Sequence, residues 1–129
     1  MLPAYIVGCN YWASHAGTEM WARWSEETVD RDFSELKKYG VRTLRVFPNW
    51  RDFQPIQLLR AGGGEPREYR MHGETPLKTP YDLDEACVNH FHTLCRLAEK
   101  HGLTLLVSIV TGWMSGRLFV PPMLEGRNI

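Results

Sequence analysis

The chain has 129 residues, 15 Lys and Arg balanced by 15 Asp and Glu, 43% hydrophobic residues and five each of Trp, Tyr and Phe. One domain's worth of chain with this apolar content can bury a core, which argues against intrinsic disorder and against a fibrous repeat. Zero net charge removes the basic stripe that neutralises phosphates, so no nucleic acid is expected as a partner, and no membrane either, because no run reaches the roughly 18 apolar residues of a span.

Tyr5 to Trp12 (YIVGCNYW) is short, apolar and aromatic and reads as a strand. A loop with Gly17 follows. From Glu26 to Tyr39, Val29, Phe33 and Leu36 recur at helical spacing, Ser25 can cap the N-terminus, Glu26 and Glu27 fall in the first turn, and Lys37 and Lys38 precede a terminating Gly40. Val41 to Phe47 predicts a second strand. Arg51 to Pro80 is rich in Gly and Pro and has no periodicity; it reads as a long strand-to-helix insertion, 51–80. Its Gly62-Gly63-Gly64 lacks a following Lys-Ser/Thr and a preceding strand, so it is a flexible loop rather than a phosphate cradle. Asp82 to His101 predicts a second helix with Leu83, Cys87, Phe91, Leu94 and Ala98 on one face and Gly102 as its stop. Leu103 to Val110 (LTLLVSIV) predicts a third strand, whose unbroken apolar character suits a parallel strand covered on both faces.

Leu36-Lys37-Lys38-Tyr39-Gly40-Val41 and Ala98-Glu99-Lys100-His101-Gly102-Leu103 repeat the order helix, Gly, strand. The order β-α-β-α-β, with short turns into strands and long aromatic loops out of them, is that of an α/β protein with its site at the strand C-termini. Three such strands do not close a barrel and leave a buried-type strand as an edge. The chain is therefore expected to supply about the first three strands and two helices of a larger barrel, or else to form a small open sheet.

Three cysteines, Cys9, Cys87 and Cys95, make an odd count. The last two are eight residues apart on one helix, roughly 12 Å along its axis, and cannot bridge. A disulfide framework is not expected. Met1 to Val7 lacks the charged start and apolar run of a secretory signal, so the compartment is the cytoplasm if Met1 is the native start, and the exterior if a signal preceded it.

Arg45 is the most informative single residue. If Leu44 and Val46 face the helices, Thr43, Arg45 and Phe47 face the other way, which places a guanidinium near the end of a strand inside a barrel. Buried there it needs a carboxylate, since an unpaired buried charge costs several kcal/mol, and neither neighbouring strand carries one. The alternative is that Arg45 reaches the surface or pairs with Asp52. Trp12, Trp50 and Trp113 fall at or just after strand ends, where indole faces stack on the apolar faces of sugars while Asn and Arg satisfy the hydroxyls. Trp21 and Trp24 fit better as a cap on the core. His15 lies in a strand-end loop and is either a substrate contact or an ordinary surface residue. His90 and His92 do not share a helix face, so no metal site is expected. His101 lies in a last helical turn, where it favours the helix dipole. Ser14 and Ser115 lack a base, Cys9 lies inside a strand, and Glu19 and Glu125, the only acids in strand-end loops, lie on no strand. No catalytic pair emerges and no cofactor is expected.

Gly8-Cys9-Asn10-Tyr11-Trp12, Met20-Trp21 with Trp24, Asp32-Phe33 with Leu36-Lys37 and Gly40, Leu44-Arg45-Val46-Phe47 with Trp50, Phe53, Gln54 and Pro55, and Gly112-Trp113-Met114-Ser115-Gly116 together resemble the opening of a cellulase-like or mannanase-like enzyme of glycoside hydrolase family 5. Position 113 departs from the pattern, since several relatives carry His where this chain has Trp. The resemblance implies a (β/α)8 TIM barrel, of which 1–129 is the N-terminal portion, and a retaining mechanism on a neutral β-linked glucan or mannan through two glutamates about 5 Å apart. Neither glutamate is expected within these residues. It also implies that Arg45 supports the nucleophile, and Asn10, Trp12, His15, Trp50 and Trp113 are the candidate substrate contacts. The expected partners are a carbohydrate and the remainder of the barrel. A noncatalytic sugar-binding or interaction module is the alternative.

Overall fold

The computed structural model describes residues 5–54, 58–61, 66–69, 79, 82–109, 113–114 and 117–118, the backbone alone for 58–61, 66–69, 113–114 and 117–118. Along the chain run β1 (Gly8–Asn10), a 3-10 turn (Gly17–Glu19), α1 (Glu26–Lys38), β2 (Thr43–Val46), α2 (Trp50–Phe53), β3 (Leu58–Ala61), β4 (Pro66–Tyr69), α3 (Glu85–His101), β5 (Thr104–Val107), β6 (Trp113–Met114) and β7 (Arg117–Leu118). They fall into two units, 1–47 with 89–108 and 48–88 with 109–129.

In the first unit β1, β2 and β5 form a parallel sheet in that order. Parallel neighbours need a crossover, and α1 supplies the first in the way its sequence predicts. The Ser25 hydroxyl accepts from the Thr28 N–H at 3.2 Å, which satisfies one of the donors left over at a helix start. Both helix ends close identically. Gly40 N–H donates to Lys37 O and Val41 N–H to Leu36 O; Gly102 N–H donates to Glu99 O and Leu103 N–H to Ala98 O. This double bond pattern needs a left-handed residue, and Gly40 (φ 82°) and Gly102 (φ 66°) take that conformation without a Cβ penalty. The helix-Gly-strand repeat of the sequence is thus one cap used twice.

The core of this unit joins Leu44 and Val46 of β2 to Val29 and Phe33 of α1 and Leu94, Leu97 and Ala98 of α3, all buried. Tyr11 sets its ring edge-on to Phe33, with centroids 4.9 Å apart. At the far end Asp30 ties the helices together, accepting from Lys100 Nζ at 2.8 Å and from His101 Nε2 at 2.6 Å. Those two bonds, Lys100 first, hold the Asp30 carboxyl below its ordinary range. Gly8 has a different role from the capping glycines: a Cβ there would lie 2.5 Å from the Thr43 carbonyl oxygen, so β1 and β2 approach at a distance only glycine permits.

In the second unit β4, β3, β7 and β6 form an antiparallel sheet in that order. The 51–80 stretch, expected without regular structure, therefore contains the end of α2 and the β3–β4 pair. Two four-residue segments without alternating hydrophobicity leave no periodic signal, because their pairing is a backbone ladder. Arg51, Asp52, Phe53 and Gln54 are buried, with Arg51 Nε 3.3 Å from Asp52 Oδ2 and Gln54 Nε2 donating to Asp82 O at 3.2 Å. α3 starts at Glu85, three residues later than its pattern suggested. Asp84 is the cap, its Oδ1 accepting from Cys87 N–H at 2.9 Å, while Asp82 is engaged by Thr79 and Leu83 lies exposed ahead of the helix.

Candidate functional site

Residues side by side in a parallel ladder share a sheet face. The register pairs Asn10 with Arg45 and Arg45 with Leu106, so these three form a row opposite to Leu44 and Val46. Trp12, Phe47 and Ser108 follow one pleat further on, where Tyr11 N–H donates to Arg45 O and Ser108 N–H to Val46 O, extending both ladders past the strand ends.

These rows converge on the Arg45 guanidinium. Its Nε donates to Ser108 Oγ at 2.8 Å, and its carbon lies 4.9 Å from the centre of the Phe47 ring, a cation–π contact. Trp12 stacks on the same Phe47, with centroids 5.1 Å apart and planes at 14°. Phe47 is buried, Trp12 half-buried and Arg45 exposed. Arg45 is exposed in this chain, and among the described residues its contacts are with Ser108 and Phe47 rather than with a carboxylate. Held along its Nε edge, the guanidinium presents its two terminal nitrogens as a fork suited to a carboxylate or to a pair of hydroxyls.

Two supports hold this cluster from beneath. Trp21, fully buried, donates its indole N–H to Phe47 O at 2.8 Å and stacks on Trp24, which in turn stacks on His90 at 5.0 Å; this pair caps the core, as expected. Asp32 of α1 accepts from the Tyr11 hydroxyl at 3.1 Å and from the Ser14 N–H and hydroxyl, each at 2.8 Å. Burial first, and the Asp32 charge second, raise the Tyr11 phenol far above its usual range, so it remains a donor.

Among the expected contacts the fold brings Asn10, Trp12 and Arg45 together. His15 turns elsewhere, its Nε2 donating to Arg23 O at 2.6 Å. Trp50 opens α2 half-buried, and Trp113 lies on β6 opposite Leu118, both in the second unit. Glu125 lies outside the described residues. Phe47 was placed on the site face by alternation with Arg45, but its role as the surface shared by Trp12 and Arg45 was not legible. Ser108 and Asp32 were missed; Ser108 meets Arg45 across 63 residues of sequence, a pairing only the register shows.

Guanidinium, amide, indole and hydroxyl groups bind and orient; none is a general base at neutral pH. The nearby acid, Asp32, is already engaged by Tyr11 and Ser14. Among the described residues no three or more His, Cys, Asp or Glu form a group that could hold a metal ion, and no helix is long and apolar enough to cross a membrane. Cys87 and Cys95 are both held above the ordinary thiol range, chiefly by burial, which disfavours a nucleophilic thiolate.

Parallel strands joined through helices, with the polar and aromatic cluster at their C-terminal ends, define the class as part of a (β/α)8 barrel. Solved structures agree. The exo-β-1,4-mannosidase Op5Man5 from Opitutaceae bacterium strain TAV5 superposes with a TM-score of 0.68 at 29% identity, over 91% of this chain and 17% of that enzyme. A GH5_18 protein from Streptomyces cattleya, in complex with GlcNAc, gives 0.67 at 22% identity over 92% of this chain and 23% of its own. A Bifidobacterium longum subsp. longum GH5_18 protein, in complex with Manβ1-4GlcNAc, gives 0.66 at 22% identity over 91% and 22%. The chain thus spans about a fifth of the length of these neighbours. No protein-family model and no curated protein matches the sequence. The neighbours bear out the resemblance to glycoside hydrolase family 5 as a likeness of fold: the chain superposes on part of the barrels of these proteins.

Proposed function

We propose that this chain forms one part of the sugar cleft of a retaining glycoside hydrolase that acts on a neutral β-linked saccharide of the mannan or glucan type, and that by itself it binds without hydrolysing. The observation that carries this reading is the Asn10, Arg45, Ser108, Phe47 and Trp12 cluster at the C-terminal ends of parallel strands. In it Trp12 is the stacking platform, Asn10 satisfies a sugar hydroxyl, and Arg45 hydrogen-bonds the nucleophile carboxylate that a later part of the barrel would carry. Trp50, Trp113 and His15 are further proposed contacts. Two neighbours, an exo-β-1,4-mannosidase and a protein in complex with Manβ1-4GlcNAc, favour a β-mannoside over a β-glucoside. The proposed protein partner is the remainder of the barrel, and the exposed Leu106, Val107 and Ile109 at the β5 edge support it, since apolar strand faces of this kind are ordinarily covered.

The test is twofold. The purified chain is expected to bind β-1,4-mannotetraose by calorimetry and to leave aryl β-mannoside intact; turnover that is lost on mutating Glu19 or Glu125 would overturn the noncatalytic assignment of this segment. In the complete enzyme Arg45→Lys is expected to lower kcat more than it raises KM, because a point charge does not reproduce the fork that orients a carboxylate. Unchanged kcat in that variant would remove Arg45 from the site.

A further inference from the structure

We propose that Asp32 is the positioning residue for the Trp12 platform: the α1 carboxylate grips the chain on both sides of Trp12 and thereby presents its ring to the sugar without touching it. This inference rests on the sugar-binding reading above. Trp12 makes no hydrogen bond of its own among the described residues, and part of its ring surface is open. Beyond its stacking on Phe47, its placement comes from the backbone that carries it. That backbone is bracketed by one side chain: Tyr11 donates its hydroxyl to Asp32 Oδ2, and Ser14 donates its N–H to Oδ2 and its hydroxyl to Oδ1. Only Trp12 and the buried Ala13 lie between the two attachment points.

The geometry converts this grip into an orientation. Successive residues of an extended segment point to opposite faces. With Tyr11 drawn to α1 by Asp32 and by the edge of Phe33, Trp12 is turned to the other face, onto Phe47. The chain then closes into a turn, Ala16 and Gly17 both donating to Ala13 O, so Ser14 cannot leave Asp32 without opening the turn. An ionised carboxylate suits this position because it accepts from all three groups at once, which an alanine side chain cannot do.

The experiment uses the full 129-residue chain labelled with 5-fluorotryptophan, which gives one fluorine resonance for each of its five Trp residues. Trp12→Phe assigns the Trp12 line. Asp32→Ala is expected to shift and broaden that line while the Trp21 line stays sharp, and to weaken β-1,4-mannotetraose binding by roughly three- to tenfold, the range a single aromatic contact supports. An unmoved Trp12 line, or all five lines changing together as in general loosening, would overturn the proposal. If the unmodified chain does not bind mannotetraose, the sugar reading fails, whereas the Trp12 line still decides whether Asp32 positions the ring. Should Asp32→Ala not fold, Tyr11→Phe and Ser14→Ala each delete one hydroxyl donor; a smaller displacement of the same line supports the proposal, and no displacement in either variant overturns it.

Discussion

The two sides of β2 differ more than any other pair of surfaces in the first unit. Toward the helices, Leu44 and Val46 are sealed with Val29, Phe33, Leu94 and Ala98, a surface whose only interaction is apolar burial. On the opposite side the same strand presents Arg45 to solvent, with Asn10 and an exposed Leu106 in its row. Neighbouring residues of a single strand thus belong to different physical regimes. One side stabilises the unit, and the other carries the proposed site.

Three measurements would break or sharpen this contrast. The largest effect is expected on the sealed side: Phe33→Ala removes a fully buried ring that touches Tyr11 and His101, and is expected to cost about 3–5 kcal/mol in denaturant unfolding. A loss below about 1 kcal/mol would mean that this face is not the stabilising one. A smaller effect concerns the Asp30 link between the helices. Because the folded carboxyl titrates below its ordinary 3.8, the stability it contributes is complete above that value and is lost as the pH falls through the lower, folded one. Asp30→Asn is expected to flatten the acid limb of the stability curve, and an unchanged limb would show that the link does not couple to folding. The smallest effect belongs to the open side: Leu106→Gln is expected to change unfolding free energy by no more than about 0.5 kcal/mol, while reducing self-association in sedimentation velocity. A large loss of stability would show that the open side is part of the core.

Much of the sealed side was legible from the sequence. Helical spacing of Val29 and Phe33, the Ser25 cap and the Gly40 and Gly102 stops are local signals, each set within about one turn of chain by backbone hydrogen-bonding needs. The α3 start was displaced because Asp82 and Asp84 are equally good caps on paper; Thr79 occupies the Asp82 carboxylate, and Asp84 receives the Cys87 N–H of the first helical turn. The β3–β4 pair was invisible, since short antiparallel partners recognise each other by backbone rather than by pattern. Gly8 looked like any strand glycine until the Thr43 carbonyl was found against it.

The sequence by itself determined the parallel α/β class and the face on which Arg45 lies, because periodicity and helix caps act over a few residues. Only the tertiary structure decided what surrounds Arg45. The register of β2 against β5 brings Ser108 to its Nε, alternation past the end of β1 lays Trp12 on Phe47, and packing of α1 delivers Asp32 to both flanks of Trp12. Each of these contacts joins residues at least 18 positions apart, and their meeting is set by how sheet and helices pack, which no local pattern encodes.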